Sequence, residues 1–321
     1  MKNIYSKTIL TAVFFLIVSC NTNDEMNVSF ELQASKSIAN FRGVSAVDEN
    51  TAWVSGLAGT FGRTIDGGKT WMFGTVPGAN TIDFRDIHAF NENTAYLMSA
   101  GRPGKIYKTL DGGLNWIEQY SNDSPGIFLN AMAFWNSGNG IVVGDPIDGR
   151  FILLTTENGG ETWITIDPEN VPSADQGEAE FAASGTCLTV QGNINAWFVT
   201  GGSTTRIFIT KDRGKTWKTV KTPLISGNSS QGTFSVSFYD DNNGVIVGGD
   251  YQNINDIEKN AAVTFDGGLT WALPDDGFQP SGFRECVSYI PGTKGKKLLT
   301  LGPSGSDISI DAGFTWTKID T

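Results

Sequence analysis

One eight-residue pattern recurs six times along the chain and restricts its fold more than any other feature. Thr64-Ile65-Asp66-Gly67-Gly68-Lys69-Thr70-Trp71 is the first copy, and residues 109–116, 156–163, 210–217, 264–271 and 309–316 repeat it. The third position holds Asp66, Asp111, Asn158, Asp212, Asp266 and Asp311, separated by 45, 47, 54, 54 and 45 residues. That period is the size of one propeller blade. A short Asp or Asn side chain accepts backbone N–H groups across a tight turn. The glycines supply the positive φ such a turn demands. The closing Trp opens the next strand and buries a large apolar face between neighbouring repeats. These residues are therefore expected to be structural.

Two strand-like runs precede each copy. They are residues 41–47 and 51–56, 83–87 and 95–98, 132–134 and 140–144, 188–190 and 196–199, 236–238 and 244–248, and 283–287 and 298–301. Each unit thus holds four short strands, with the repeated turn between the third and fourth. A lone four-stranded unit cannot bury both faces, whereas a radial arrangement lets neighbouring units cover each other. No segment reads as a long amphipathic helix, and Val28-Ser29-Phe30-Glu31-Leu32 alternates in a way suited to an outer strand near ring closure. The expected fold is all-β: a six-bladed β-propeller of four-stranded blades over residues 38–321, with nothing to spare for a seventh blade.

Residues 1–20 read as a targeting segment. Lys2 and Lys7 form a basic start, and the apolar run 9–18, broken by Thr11, is too short to span a bilayer comfortably. The run ends in Ile17-Val18-Ser19-Cys20, which resembles a bacterial lipobox with Cys20 as the lipidated residue. An ordinary secretory signal cleaved near Ser19 is the alternative. Residues 21–37 are a polar tether whose Asp24 and Glu25 resemble the surface-export signals of some Gram-negative lipoproteins. The expectation is an exported monomer, lipid-anchored through Cys20 at the outer membrane or cell surface of a Gram-negative bacterium. The net charge of −11 becomes −13 once Lys2 and Lys7 are removed, which opposes nucleic acid as a partner. The sign is also wrong for lying on anionic lipid, so the acyl chains alone anchor the chain. Cys187 and Cys286 fall two blades apart and are expected to be buried free thiols.

The repeats resemble the BNR/Asp-box repeats of sialidases, sortilin-type receptors and many bacterial exoproteins. Over roughly residues 38 to 320 the chain is more similar to the propellers of the photosystem II stability/assembly factor family and its non-photosynthetic bacterial relatives. Phe41-Arg42-Gly43-Val44 and Phe84-Arg85-Asp86-Ile87, combined with the Asp boxes, carry that likeness, and Phe283-Arg284-Glu285-Cys286 is a looser copy. The photosynthetic members are assembly chaperones that bind a protein partner partly through an arginine patch. The resemblance places such a patch at Arg42, Arg85 and Arg284. The chain departs from the family in being a lipoprotein and in having six rather than seven expected blades. What the resemblance implies is therefore a protein- or ligand-binding face rather than the photosystem partner itself.

Topology puts the first–second and third–fourth strand turns on the Asp-box face, and the second–third loops and blade connections on the opposite mouth. The mouth set includes loop 144–150 with Asp145, Asp148 and Arg150, loop 201–206, and loop 248–253 with Asp250 and Tyr251. It also includes the long connection 167–184 with Glu178 and Glu180. Arg42, Arg85 and Arg284 begin the first strands of blades 1, 2 and 6, which are consecutive once the ring closes. The candidate ligand site is Arg42, Arg85, Arg284, Asp145, Arg150, Glu178, Asp250 and Tyr251, facing a protein or glycan. The competing reading makes the arginines structural ion pairs with Asp86, Glu285 and nearby carboxylates.

A second functional reading is a glycoside hydrolase using Asp145, Glu178 and Asp250, since such an enzyme needs two carboxylates about 5–10 Å apart. A sialidase-like version would add the arginine triad and Tyr251, yet the Arg-Ile-Pro motif typical of sialidases is absent. His88 is the only histidine, so a histidine-rich metal site is impossible and Ser-His-Asp or Cys-His catalysis would hang on that one residue, inside an expected first strand. No glycine-rich loop opens a helix, so phosphate-cradle chemistry fails. The acidic loop 167–180 matches no EF-hand. No cofactor and no metal are expected.

Overall fold

The repeated turn closes through one hydrogen-bond set in every blade. In the first, the Thr64 hydroxyl accepts from Gly68 N–H at 2.9 Å and donates to Asp66 Oδ1 at 2.9 Å. Asp66 then accepts from Thr70 N–H at 2.9 Å and Thr70 Oγ1–H at 2.6 Å. Asn158 serves equally well, because its Oδ1 accepts from Thr162 N–H while its Nδ2 donates to Thr162 Oγ1. These side chains satisfy backbone donors that the reversal leaves without a ladder partner.

This computed structural model describes residues 28, 30, 31, 33, 37–183 and 185–319. Cys20, the rest of the targeting segment, residues 21–27 and part of the alternating fragment 28–32 lie outside the described residues. The chain divides into units 1–31 and 32–321, and the second carries the repeats. It is a six-bladed, all-β propeller with essentially no helix beyond the 3-10 turn Pro168–Asn170. The first strands of the blades are Phe41–Ala46, Phe84–Ala89, Leu129–Asn136, Leu188–Gln191, Gln231–Phe238 and Cys286–Tyr289. Consecutive ones from blade 1 to blade 6 touch, so the blades follow one another around the axis in chain order. Blade 5 is irregular. Its fourth strand shrinks to a bridge between Val263 and Ala272. On its other side it gains Gly201–Gly202 and Glu178–Ala179, which stitch the blade 3–4 connection onto it.

Apolar clusters fill the junctions from blade 1 to blade 6, with Trp53, Phe61 and Ile87 between blades 1 and 2 and Val245, Val287 and Trp316 between blades 5 and 6. One repeat position shows how the ring differs locally. Strand register makes Val44, Ile87, Met132, Leu188, Val236 and Val287 equivalent. The last five are 2–5% exposed, whereas Val44 of blade 1 is 68% exposed. The box glycines agree. Gly113, Gly160, Gly214, Gly268 and Gly313 each pack against the preceding blade, through Phe61, Tyr96, Ile141, Ile209 and Val263 respectively. At blade 1 the corresponding neighbour of Gly68 is Gln33.

Among the described residues the two cysteines are free; Cys187 is buried, while Cys286 is half-buried rather than enclosed as expected. His88 sits between Phe90 and Phe134, and burial holds its imidazole down at about 4.

Candidate functional site

The first strands of blades 1 and 2 both begin with Phe-Arg, and both carry a register shift there, between Phe41 and Val44 and between Phe84 and Asp86. Such a bulge re-aims a side chain at the strand entrance. Arg42 and Arg85 thereby share the carboxylate of Asp83, at 3.6 and 3.0 Å. Both arginine side chains remain about a third exposed. Two guanidinium groups share this one carboxylate, so Asp83 alone does not neutralise the pair. Arg85 also donates to the Ala182 carbonyl at 3.5 Å, tying it to the blade 3–4 connection.

These arginines line a cleft of about 770 Å³. Its aromatic wall is Phe181 stacked on Phe234, with centroids 3.8 Å apart, and Tyr251 meeting both rings edge-on. Its third side comes from blade 6, through Glu285, Cys286, Leu301 and Pro303. The cleft therefore brings blades 6 and 1 to one opening, as ring order requires. Burial raises the Glu285 carboxyl above its ordinary range. A positively charged edge beside a half-open aromatic shelf suits a ligand with both an anionic or carbonyl-rich part and an apolar part.

Of the residues singled out in the sequence, Arg42, Arg85 and Tyr251 meet in this cleft. Arg284 does not reach it. Its side chain is fully buried, donating to Asp307 through Nε at 2.7 Å and through Nη2, to Ser281 at 2.7 Å, and to the Phe283 carbonyl at 2.8 Å. A buried cation so completely partnered is a structural ion pair, and its partner is Asp307 rather than Glu285. Glu178 is likewise enclosed. It accepts from Arg206, from the Thr200 hydroxyl at 2.6 Å and from Asp175 N–H at 2.8 Å. Arg150 donates to the Val171 carbonyl at 2.7 Å and lies outside the cleft lining. Asp250 accepts from Gln252 N–H at 2.9 Å. Burial would raise its carboxyl, but hydrogen bonds from Ser230 and Gln252 outweigh that and lower it.

Asp145 belongs to a buried polar group that sequence reading did not assemble. Asn130 Nδ2 donates to Asp145 Oδ1 and Glu180 Oε2, both at 2.9 Å. Burial first, and the Asp145 charge second, push Glu180 well above the usual carboxylate range. Asp86, read from sequence as a partner for the arginines, instead accepts from Met132 N–H at 2.6 Å and Ile87 N–H at 2.8 Å. Burial pushes Asp86 up to about 7 against those two bonds. Neighbouring strand residues point to opposite faces, so Asp86 turns inward while Arg85 turns to the mouth and meets Asp83, two positions back.

No family model matches the chain. The photosystem II assembly lipoprotein Ycf48 of Synechococcus sp. (strain CC9902) is 26% identical over 277 residues, covering 82% of this chain and 72% of that protein. The chain is similar to Ycf48 in sequence along most of its length. Solved structures that share the fold include two of YCF48. YCF48 bound to D1 peptide has a TM-score of 0.57 at 19% identity, covering 87% of this chain and 80% of that one. YCF48 from Cyanidioschyzon merolae has a TM-score of 0.57 at 18% identity, covering 85% and 83%. The Synechococcus relative is itself a lipoprotein, so the lipid anchor expected from the sequence would be no departure from that relative.

Proposed function

We propose that this chain is a lipid-anchored envelope protein whose cleft captures a segment of a protein partner, in an assembly or stability role. The observation that carries the reading is the Arg42–Asp83–Arg85 group beside the Phe181, Phe234 and Tyr251 rings. Guanidinium groups present planar donors to carbonyl or carboxylate oxygens, and an adjoining aromatic shelf takes an apolar side chain. A protein of the same fold, YCF48, has a solved structure bound to D1 peptide, which supports a peptide-like ligand. Glu285 is the carboxylate among the described residues lining the cleft. Glu180, beside Asp145, is too enclosed for a sugar to reach, and a single carboxylate in the described cleft lining is short of the pair a hydrolase would place there. Anchorage through Cys20 rests on the lipobox-like sequence together with the lipoprotein relative.

The test is a double charge reversal, Arg42→Glu with Arg85→Glu, with circular dichroism to verify the fold. Proteins co-purifying with the acylated chain from solubilised envelopes are identified for both forms. Loss of a defined set of partners from the variant is expected. An unchanged set would remove the cleft from consideration.

A further inference from the structure

In each Asp box the side chains of the second and sixth residues are exposed and make none of the turn's hydrogen bonds, although the Leu269 backbone N–H does donate to Asp266. Their chemistry divides the ring. The second position holds Phe265, Ile310, Ile65 and Leu110 in blades 5, 6, 1 and 2, but Glu157 and Lys211 in blades 3 and 4. The sixth follows, with Leu269, Phe314 and Leu114 in blades 5, 6 and 2, against Glu161 and Lys215 in blades 3 and 4. Lys69 of blade 1 is the exception. The apolar members are 40–75% exposed. Phe265 and Phe314 even stack on each other across the blade 5–6 boundary, with centroids 5.4 Å apart. The turn tolerates Glu or Lys at these positions, so folding does not demand an apolar arc over four consecutive blades. Exposed apolar surface of this extent marks a docking face.

We propose that this arc rests on the apolar–polar boundary of the lipid bilayer, so that the Asp-box face lies against the membrane and the cleft faces away from it. The inference rests on the anchor at Cys20. The chain joins the propeller within the arc, because Gln33 donates to the Gly67 carbonyl at 3.2 Å and accepts from Trp71 Nε1–H at 3.0 Å, at the box turn of blade 1. Gln33 lies thirteen positions after Cys20, a reach of at most about 45 Å when fully extended. A nine-residue strand such as Asn139–Ile147 already spans about 30 Å between the faces. Turning the mouth to the membrane would use most of the tether at near-full extension, at an entropic cost. Turning the Asp-box face to the membrane leaves the tether relaxed. The net charge of −13 without Lys2 and Lys7 supplies no attraction to anionic headgroups. The contact is therefore apolar, as for interfacial side chains that enter the acyl boundary, and changes little with salt.

The test uses the full acylated chain reconstituted into phosphatidylcholine vesicles, in a Cys286→Ser background. A polarity-sensitive fluorophore is placed at Leu114→Cys or, on the mouth side, at Asp148→Cys. The probe at 114 is expected to shift to the blue on reconstitution and to be quenched several-fold by brominated lipid, with the probe at 148 unaffected. Chain that sediments with vesicles while both probes remain water-exposed, or while the probe at 148 is the quenched one, overturns the orientation. Chain that fails to sediment overturns the anchor itself. Protection at 114 that rises with protein-to-lipid ratio and persists in detergent means a second copy covers the arc, and the lipid proposal falls. With Phe265→Ser and Phe314→Ser added, quenching at 114 is expected to drop at least twofold while sedimentation holds.

Discussion

The junction between blades 1 and 2 and the junction between blades 6 and 1 are built from the same repeat and end differently. At the first, Ile87 packs among Trp53, Phe61 and Leu97, and Gly113 lies against Phe61. At the second, the equivalent Val44 stays largely in solvent, Leu301 is partly exposed, and Gln33 stands where a preceding blade would be. The open junction is also where the cleft lies, lined by Arg42 and Val44 on one side and Glu285 and Leu301 on the other. Repetition supplies stability where faces meet and leaves an open cleft where they do not.

The arginines of the three Phe-Arg starts give the largest expected contrast. Arg284→Met leaves Asp307 buried without its cation and should cost about 3–5 kcal/mol. Arg42→Met should change stability by no more than about 0.5 kcal/mol. Urea unfolding of both variants checks the pair, and equal losses would break the distinction between a core ion pair and a mouth cation.

Next in size is Asp86, which holds the first strand of blade 2 to blade 3 on the sealed side. Its carboxyl is raised to about 7 from 3.8, so its neutral form is favoured in the folded state. That contribution is complete below about pH 4 and is lost as pH rises through 7. Asp86→Asn lacks the loss, so its stability relative to wild type should improve between pH 4 and 8, by up to about 3–4 kcal/mol. His88, lowered to about 4, works in the opposite sense, contributing above 6.5 and losing that as pH falls through 4. It is common to both proteins and cancels in the difference. A pH-independent difference between the two unfolding curves would show that Asp86 is ionised in the fold.

The aliphatic pair then measures the junctions directly. Ile87→Ala should destabilise by about 2–4 kcal/mol through lost burial and a residual cavity. Val44→Ala, at the same repeat position, should stay within about 0.5 kcal/mol. Thermal unfolding of the two variants sharpens the comparison, and a large loss at Val44 would mean that blades 6 and 1 seal in solution.

The six blades were legible because turn chemistry is local: Thr64, Asp66, Gly68 and Thr70 satisfy one another within seven residues, wherever that turn is placed. Arg42 and Arg85 were legible as mouth residues for a similar reason, since each opens a first strand. Their shared carboxylate was not assigned correctly, although strand alternation favours Asp83 over Asp86. Arg284 could not be separated from them by motif, because Asp307 is 23 positions away and only the paired strands of blade 6 bring it alongside. The Asn130, Asp145 and Glu180 group was out of reach for the same reason.

The amino-acid sequence by itself determined the repeat, the blade count and the chemistry of each turn, because those depend on contacts within a few residues. Only the tertiary structure decided which copy of each repeated residue is buried. Val44 and Val287 occupy the same repeat position in neighbouring first strands, and what separates them is whether another blade covers the face they project from. Burial, and with it the division between core and open cleft, is a property of neighbours around the ring rather than of the residue.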